Sequence, residues 1–151
     1  MQGHIEVRIN DTEATNIYCG TLICASDLKP TNDGRFIFDD KFIYFGDKVA
    51  IIMGENVEIF LDRISDALSK EGINDYRMEK VKYLERLNHN GAINLHNKFS
   101  EYSWQYEWRL ILNQNETDDA FKLKIGSLKD IVQVFDTKDL FDPNFFCYKF
   151  G

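Results

Sequence analysis

Basic runs, long apolar stretches, proline and paired cysteines are all scarce in this chain of 151 residues. The 18 basic side chains are outnumbered by 25 acidic ones, the formal charge is −7, and nowhere do four Lys or Arg residues stand together. Such a balance repels phosphate backbones, which excludes a basic nucleic-acid coat and gives no expectation of a nucleic-acid partner. Apolar runs such as Val49 to Met53 fall far short of the roughly 20 residues a membrane helix requires, so no contact with a bilayer is expected. Met1-Gln2-Gly3-His4 leads straight into Ile5, Val7 and Ile9, without the basic and apolar regions of a signal peptide, and a cytoplasmic location follows as the expectation. Three cysteines, Cys19, Cys24 and Cys147, are an odd number, and free thiols in a reducing compartment explain them most simply. Collagen, coiled coil and wholesale disorder are excluded by 44% apolar and 28% charged residues with only 2 prolines. A chain of this size buries roughly 70% of its unfolded surface, so its core needs neither metal nor disulfide.

What is present reads as alternating strands around one good helix. Residues 4 to 10 place Ile5, Val7 and Ile9 on one face of a strand and His4, Glu6, Arg8 and Asn10 on the other. Ile17 to Ala25 is a continuous apolar run suited to a central strand covered on both faces. Arg35 to Phe38 and Lys41 to Phe45, separated by Asp39-Asp40, predict a hairpin, and Lys48 to Met53 a further strand. Val57, Phe60, Leu61, Ile64, Ala67 and Leu68 recur at helical spacing over about 56–71, with Asn56 placed to cap the start and Gly72 the end. Met78 to Leu84 returns to strand, and the asparagine-rich Asn88 to Asn97 is a loop. From Trp104 to Asn113 the alternation is the cleanest in the chain; Phe121, Leu123 and Ile125 suggest another strand, and Ile131 to Phe135 the last. The expectation is a single α+β domain over 1–151, with a mainly antiparallel or mixed sheet of about eight strands. Because the chain begins inside an element, an N-terminal portion is expected to be missing or strand 4–10 to be an exposed edge, through which pairing, including self-pairing, would be easy.

Candidate chemistry gathers near Trp104. Gln105, Glu107 and Arg109 stand at i, i+2, i+4, which on a strand projects all three from one face. A carboxylate flanked by an amide and a guanidinium and rimmed by Trp104 and Tyr102 could bind a ribose hydroxyl or steady an oxocarbenium-like centre. The plain alternative is a solvated strand face carrying a Glu107–Arg109 pair. The Gln-x-Glu pattern is unspecific, since Gln114-Asn115-Glu116 repeats it. Cys19 and Cys24 are five apart, an odd separation that sends extended side chains to opposite faces, so they read as core thiols and not as metal ligands. His89 and His96 share the asparagine-rich loop without a cysteine or carboxylate at zinc spacing, and Asp39-Asp40 is turn chemistry, so no metal is expected. Phosphate-cradling glycine loops, dinucleotide fingerprints, His-Glu-x-x-His and Gly-x-Ser-x-Gly are all absent from the sequence.

Several segments carry a likeness in their order: Phe45-Gly46-Asp47-Lys48-Val49, the helix with Phe60 and Arg63, Val81-Lys82-Tyr83, Lys98-Phe99, Trp104-Gln105-Tyr106-Glu107-Trp108-Arg109, and Ile125-Gly126-Ser127-Leu128-Lys129-Asp130-Ile131. From Tyr44 to about Leu140 this order resembles the C-terminal half of an uncharacterised family of bacterial and phage proteins. The resemblance implies a mixed sheet and a phage or bacterial origin, with no activity attached. Beyond it lies a distant similarity to ADP-ribosyltransferases, whose catalytic glutamate ends a Gln/Glu-x-Glu motif, here Gln105 and Glu107. That similarity implies NAD as cofactor, with Gln105 aligning the acceptor and Arg109 contacting a phosphate or the glutamate itself. Such enzymes also hold NAD with an early-strand Arg or His and a later Ser or Tyr, for which only His4 or Arg8, and Tyr18, could serve.

Two functions therefore stand side by side. The first is a small acidic cytoplasmic binding or regulatory protein without catalysis of its own, such as a phage-encoded inhibitor of a host protein, steered to its partner by charge. The second is an ADP-ribosyltransferase-like enzyme using Glu107. A relic that keeps the fold of such an enzyme after its site has decayed would share the first one's lack of NAD binding.

Overall fold

A computed structural model describes residues 15–24, 27, 38–113, 121–142 and 145. The architecture is α+β, with seven strands and one α-helix among these residues, joined by short 3-10 turns. The expected strand at 4–10, with its edge pairing, lies outside them, as do Arg35 to Ile37 and Cys147. The chain, read from its sequence as one domain, groups into two compact units, each assembled from two separate stretches. No helix among the described residues is long and apolar enough to cross a membrane.

The first unit takes its described residues from the stretch ending at Thr21 and from Asp75–Lys122. Its main sheet has three antiparallel strands, with β6 (Glu107–Asn113) between β1 (Thr15–Thr21) and β3 (Tyr76–Lys80). The central place belongs to β6 because Trp108, Leu110, Ile111 and Leu112 are all buried, so both of its faces are covered. Expectation put Ile17 to Ala25 at the centre; among the described residues β1 ends at Thr21 and stands at one end of the strand order, with Ile17, Tyr18 and Cys19 exposed. The expected strand Met78 to Leu84 is two strands, β3 and β4 (Lys82–Leu84), broken at buried Val81. Val81 donates its N–H to the Glu107 carbonyl (2.8 Å) while Lys82 donates to His96 (2.8 Å), so the chain changes sheets between two consecutive residues. There β4 pairs in parallel with β5 (Asn97–Phe99). No strand forms over 121–125, where the N–H of Phe121 goes to the Asn16 side chain at 3.1 Å and not to a ladder.

The second unit takes its described residues from Leu22–Asn74 and from the stretch beginning at Leu123. Its strands β2 (Lys48–Ile52) and β7 (Val132–Asp136) form an antiparallel ribbon, and α1 (Gly54–Lys70) supplies the helix. The amphipathic stripe predicts the helix well: Ile64, Ala67 and Leu68 are buried while Glu58, Asp62 and Ser69 are exposed. It starts earlier than Asn56, at Met53 with no side-chain cap, and the Asn56 N–H already bonds Met53 O at 2.9 Å. Lys41 to Phe45, expected as a strand, is a 3-10 turn over Asp40–Phe45, because the Asp39 carboxylate accepts the Lys41 N–H (3.0 Å) and winds the chain at once.

Gly72 ends α1 in the left-handed region (φ 73°), with its N–H on Ser69 O (3.1 Å) and the Ile73 N–H on Leu68 O (2.9 Å). This pair of bonds satisfies carbonyls that the last turn would otherwise leave open. Gly72→Ala is expected to cost about 1–2 kcal/mol through backbone strain alone, read as a lowered midpoint in urea denaturation with an unchanged slope.

Candidate functional site

The residues singled out near Trp104 meet in the first unit, through a geometry other than a plain strand face. Ser100–Gln105 is a 3-10 turn, and Tyr106 closes it in the left-handed region (φ 45°, ψ 46°), which is uncommon for a residue with a side chain. Strand β6 therefore begins at Glu107. Gln105 does not share a strand face with Glu107 by alternation, and it reaches the carboxylate through a third residue, Lys98 of β5. The Lys98 ammonium donates to Gln105 Oε1 at 2.5 Å and to Glu107 Oε2 at 2.9 Å.

Arg109, two residues along β6, donates from Nε to Glu107 Oε1 at 2.7 Å, and its Nη1 donates to the Leu95 carbonyl. Both carboxylate oxygens of Glu107 thus face cations, and the residue is only 7% exposed. The Glu107 N–H donates to the Tyr83 hydroxyl at 2.9 Å, and the Tyr102 ring lies 4.9 Å from Lys98 Nζ, within cation–π range. Across the sheet Arg109 stands opposite Cys19 on one side and Glu79 on the other. The result is a row of alternating charge covered by the segment from Leu95 to Lys98. Trp104 is half-buried in the 3-10 turn that carries Tyr102 and Gln105.

The electrostatics follow from this packing. Burial pushes the Glu107 carboxyl up, but the hydrogen bonds from Arg109, Lys98 and Cys19 outweigh it and hold it below the usual carboxylate range. Burial likewise acts to depress Arg109, and Glu107 more than restores it. Cys19 is raised by burial and then by Glu107, so its thiolate is disfavoured. The arrangement keeps one carboxylate ionised with a cation on each of its oxygens, and it disfavours the thiolate of Cys19.

Expectation and structure therefore differ in three respects. The Glu107–Arg109 pair exists, but its face is shielded and not solvated, because Lys98 supplies the second counter-charge that burial requires. Cys19, read as a core thiol, is exposed as a residue on β1 while its thiol lies against Glu107 and Arg109; neither it nor half-buried Cys24 is in a disulfide. Tyr18 pairs with Leu110 and meets Trp108 edge-on at 6.3 Å, on the face of the sheet opposite Glu107. His4 and Arg8 lie outside the described residues. Sequence reading missed Lys98 and Tyr83 as members of the cluster; their segments, Lys98-Phe99 and Val81-Lys82-Tyr83, carry no local pattern that joins them to Glu107.

A second cluster, in the other unit, joins two of those segments. Arg63 of α1 donates to Ser127 O at 2.6 Å and grips both oxygens of Asp130, one at 3.0 Å. They line an open depression of about 510 Å³ with Ile125, Gly126 and Lys129. Each partner reinforces the other's charge: Asp130 raises Arg63, and Arg63 lowers Asp130. The guanidinium is spent on the chain itself, which makes this a clamp between helix and loop. His96 Nδ1 lies 3.6 Å from Glu79, and no group of three or more metal-ligating side chains occurs among the described residues.

No protein-family model, curated protein or solved structure matches the chain.

The lowered Glu107 carboxyl carries a pH prediction. A group whose folded value lies below its unfolded one contributes stability above the unfolded value, about 4.3 for Glu, and loses it as pH falls through the folded value. Urea midpoints of the natural chain are expected to fall steeply below about pH 4.3, and Glu107→Gln to flatten that slope.

Proposed function

We propose that this chain is a small acidic binding or regulatory protein of the cytoplasm, of bacterial or phage origin, which acts by contacting another protein and performs no catalysis at Glu107. One observation carries the reading: both oxygens of Glu107 are held by Lys98 and Arg109, and the carbonyl of Gln105 by Lys98. An ADP-ribosyltransferase glutamate must offer its carboxylate to the substrate ribose, and here it would first have to surrender a buried ion pair costing several kcal/mol. Charge supports the choice of partner class, because a net −7 favours encounter with a basic protein surface and disfavours nucleic acid.

Isothermal titration with millimolar NAD tests this. No heat of binding is expected, from the natural chain or from Glu107→Gln. A saturable heat that Glu107→Gln abolishes would overturn the reading in favour of an NAD-dependent enzyme.

A further inference from the structure

In the second unit, Ile43, Tyr44 and Phe45 stand side by side in the 3-10 turn and are 44%, 83% and 62% exposed. Single exposed apolar residues need no explanation, but three in succession, two of them large aromatics, are what a folded surface avoids unless something covers them.

The turn that carries them is held at both ends. Asp39 caps its start, and Phe42, 7% exposed, packs edge-on against Phe38 at 5.4 Å and Phe45 at 5.7 Å. At the far end Gly46, at φ 141°, is fastened by buried Thr137, whose hydroxyl donates to Gly46 O (2.5 Å) and whose N–H donates to Asp47 O (2.9 Å). A surface fixed in this way loses little conformational freedom on binding.

Its surroundings select the partner. Among the described residues, the turn and the segment fastened to it supply carboxylates at Asp39, Asp40, Asp47, Asp136 and Asp139 against lysines at Lys41, Lys48 and Lys138. Every one of these lysines already sits on an aspartate: Lys41 on Asp39 (3.5 Å), Lys48 on Asp136, and Lys138 near Asp136 (3.7 Å). The described part of the rim is left with an excess of negative charge, of the same sign as the whole chain. A second copy of this chain, a nucleic acid or an anionic membrane would bring like charge to it.

We infer that Ile43, Tyr44 and Phe45 form the docking surface for a protein partner that presents a large apolar side chain ringed by lysine or arginine. The inference rests on the reading of this chain as a binding protein and names the surface that reading requires. Tyr44 and Phe45 are the anchors, and the aspartates set orientation and on-rate.

Fluorescence anisotropy with a labelled synthetic amphipathic helix of leucine and lysine tests it on the full chain, with a leucine–glutamate helix of the same length as control. Binding of the lysine helix is expected, weakening with salt and falling about tenfold or more in Tyr44→Ser/Phe45→Ser. Tyr44→Ser alone, whose side chain is the most exposed of the three, is expected to lower affinity while leaving the thermal melt unchanged. Equal affinity in both variants would mean that charge alone attracts the helix, and equal binding of the glutamate helix would mean indiscriminate apolar contact; each overturns the proposal. A dimer in sedimentation that Tyr44→Ser dissolves would assign the surface to a second copy and overturn it too. Failure here without any heat from NAD leaves the binding-protein reading standing on another surface, whereas a saturable heat from NAD that Glu107→Gln abolishes removes that reading.

Discussion

A chain carrying Glu107→Ala is expected to unfold about 3 kcal/mol more readily than the natural one at neutral pH, measured by urea denaturation. The loss comes from what stays behind more than from what is removed. Arg109 and Lys98, with side chains only 14% and 27% exposed, would keep their positive charges close together without the carboxylate between them. The Gln105 carbonyl and the Leu95 carbonyl would remain as their nearest acceptors, and neither is charged. Glu107→Gln keeps the shape and one acceptor, and its cost is expected to be smaller, about 2 kcal/mol, the scale of hydrogen bonds to charged groups. The contrast with a double replacement is sharper. Glu107→Met/Arg109→Met removes charge from both sides, and its stability is expected to lie above the sum of the two single losses, with a coupling of about 1–3 kcal/mol in the double-mutant cycle. Additive losses would mean that Glu107 is solvated and that the cluster is a surface pair.

Much of this site was legible in the sequence, but not the feature that decides its character. The alternation from Tyr106 to Leu112 predicts β6, and α1 is plain because its apolar residues recur at i, i+3 and i+4. Both signals are local, which is why they survive into the structure. Alternation over Trp104 to Asn113 also places Gln105 on the face of Glu107, and that fails at Tyr106, whose left-handed backbone turns the chain between them. Nothing in a tyrosine announces positive φ. Burial of Glu107 was equally hidden, since a carboxylate is shielded only where counter-charges exist, and Lys98 arrives from another strand of the unit. Val81 illustrates the same limit. Its segment reads as one strand, and the break is imposed by the two different acceptors of Val81 and Lys82. At Lys41 to Phe45 a strand-like composition lost to a single cap at Asp39, and that loss leaves Tyr44 and Phe45 on the surface where an alternating strand would have hidden one of them.

The steepest dependence on packing is expected at Ile111 and Leu68, 2% and 0% exposed, the largest fully shielded side chains among the described residues, one in each unit. Ile111→Ala and Leu68→Ala each remove most of an aliphatic side chain from a close-packed interior, and each is expected to cost about 3–4 kcal/mol in urea denaturation, transfer and cavity contributions together. Ile17 provides the internal control. It is paired directly with Ile111 across the β1–β6 ladder and shares its face, yet it is 40% exposed on β1, which stands at one end of the strand order among the described residues. Ile17→Ala is accordingly expected to cost less than about 1.5 kcal/mol, in keeping with the smaller area it withdraws from water. Position in the sheet, and not residue type, then sets the difference between two isoleucines on facing strands. Equal losses at 17 and 111 would place the centre of this sheet at β1, where the apolar run from Ile17 to Ala25 first put it, and would remove the shielding that keeps Glu107 and its two cations together on β6.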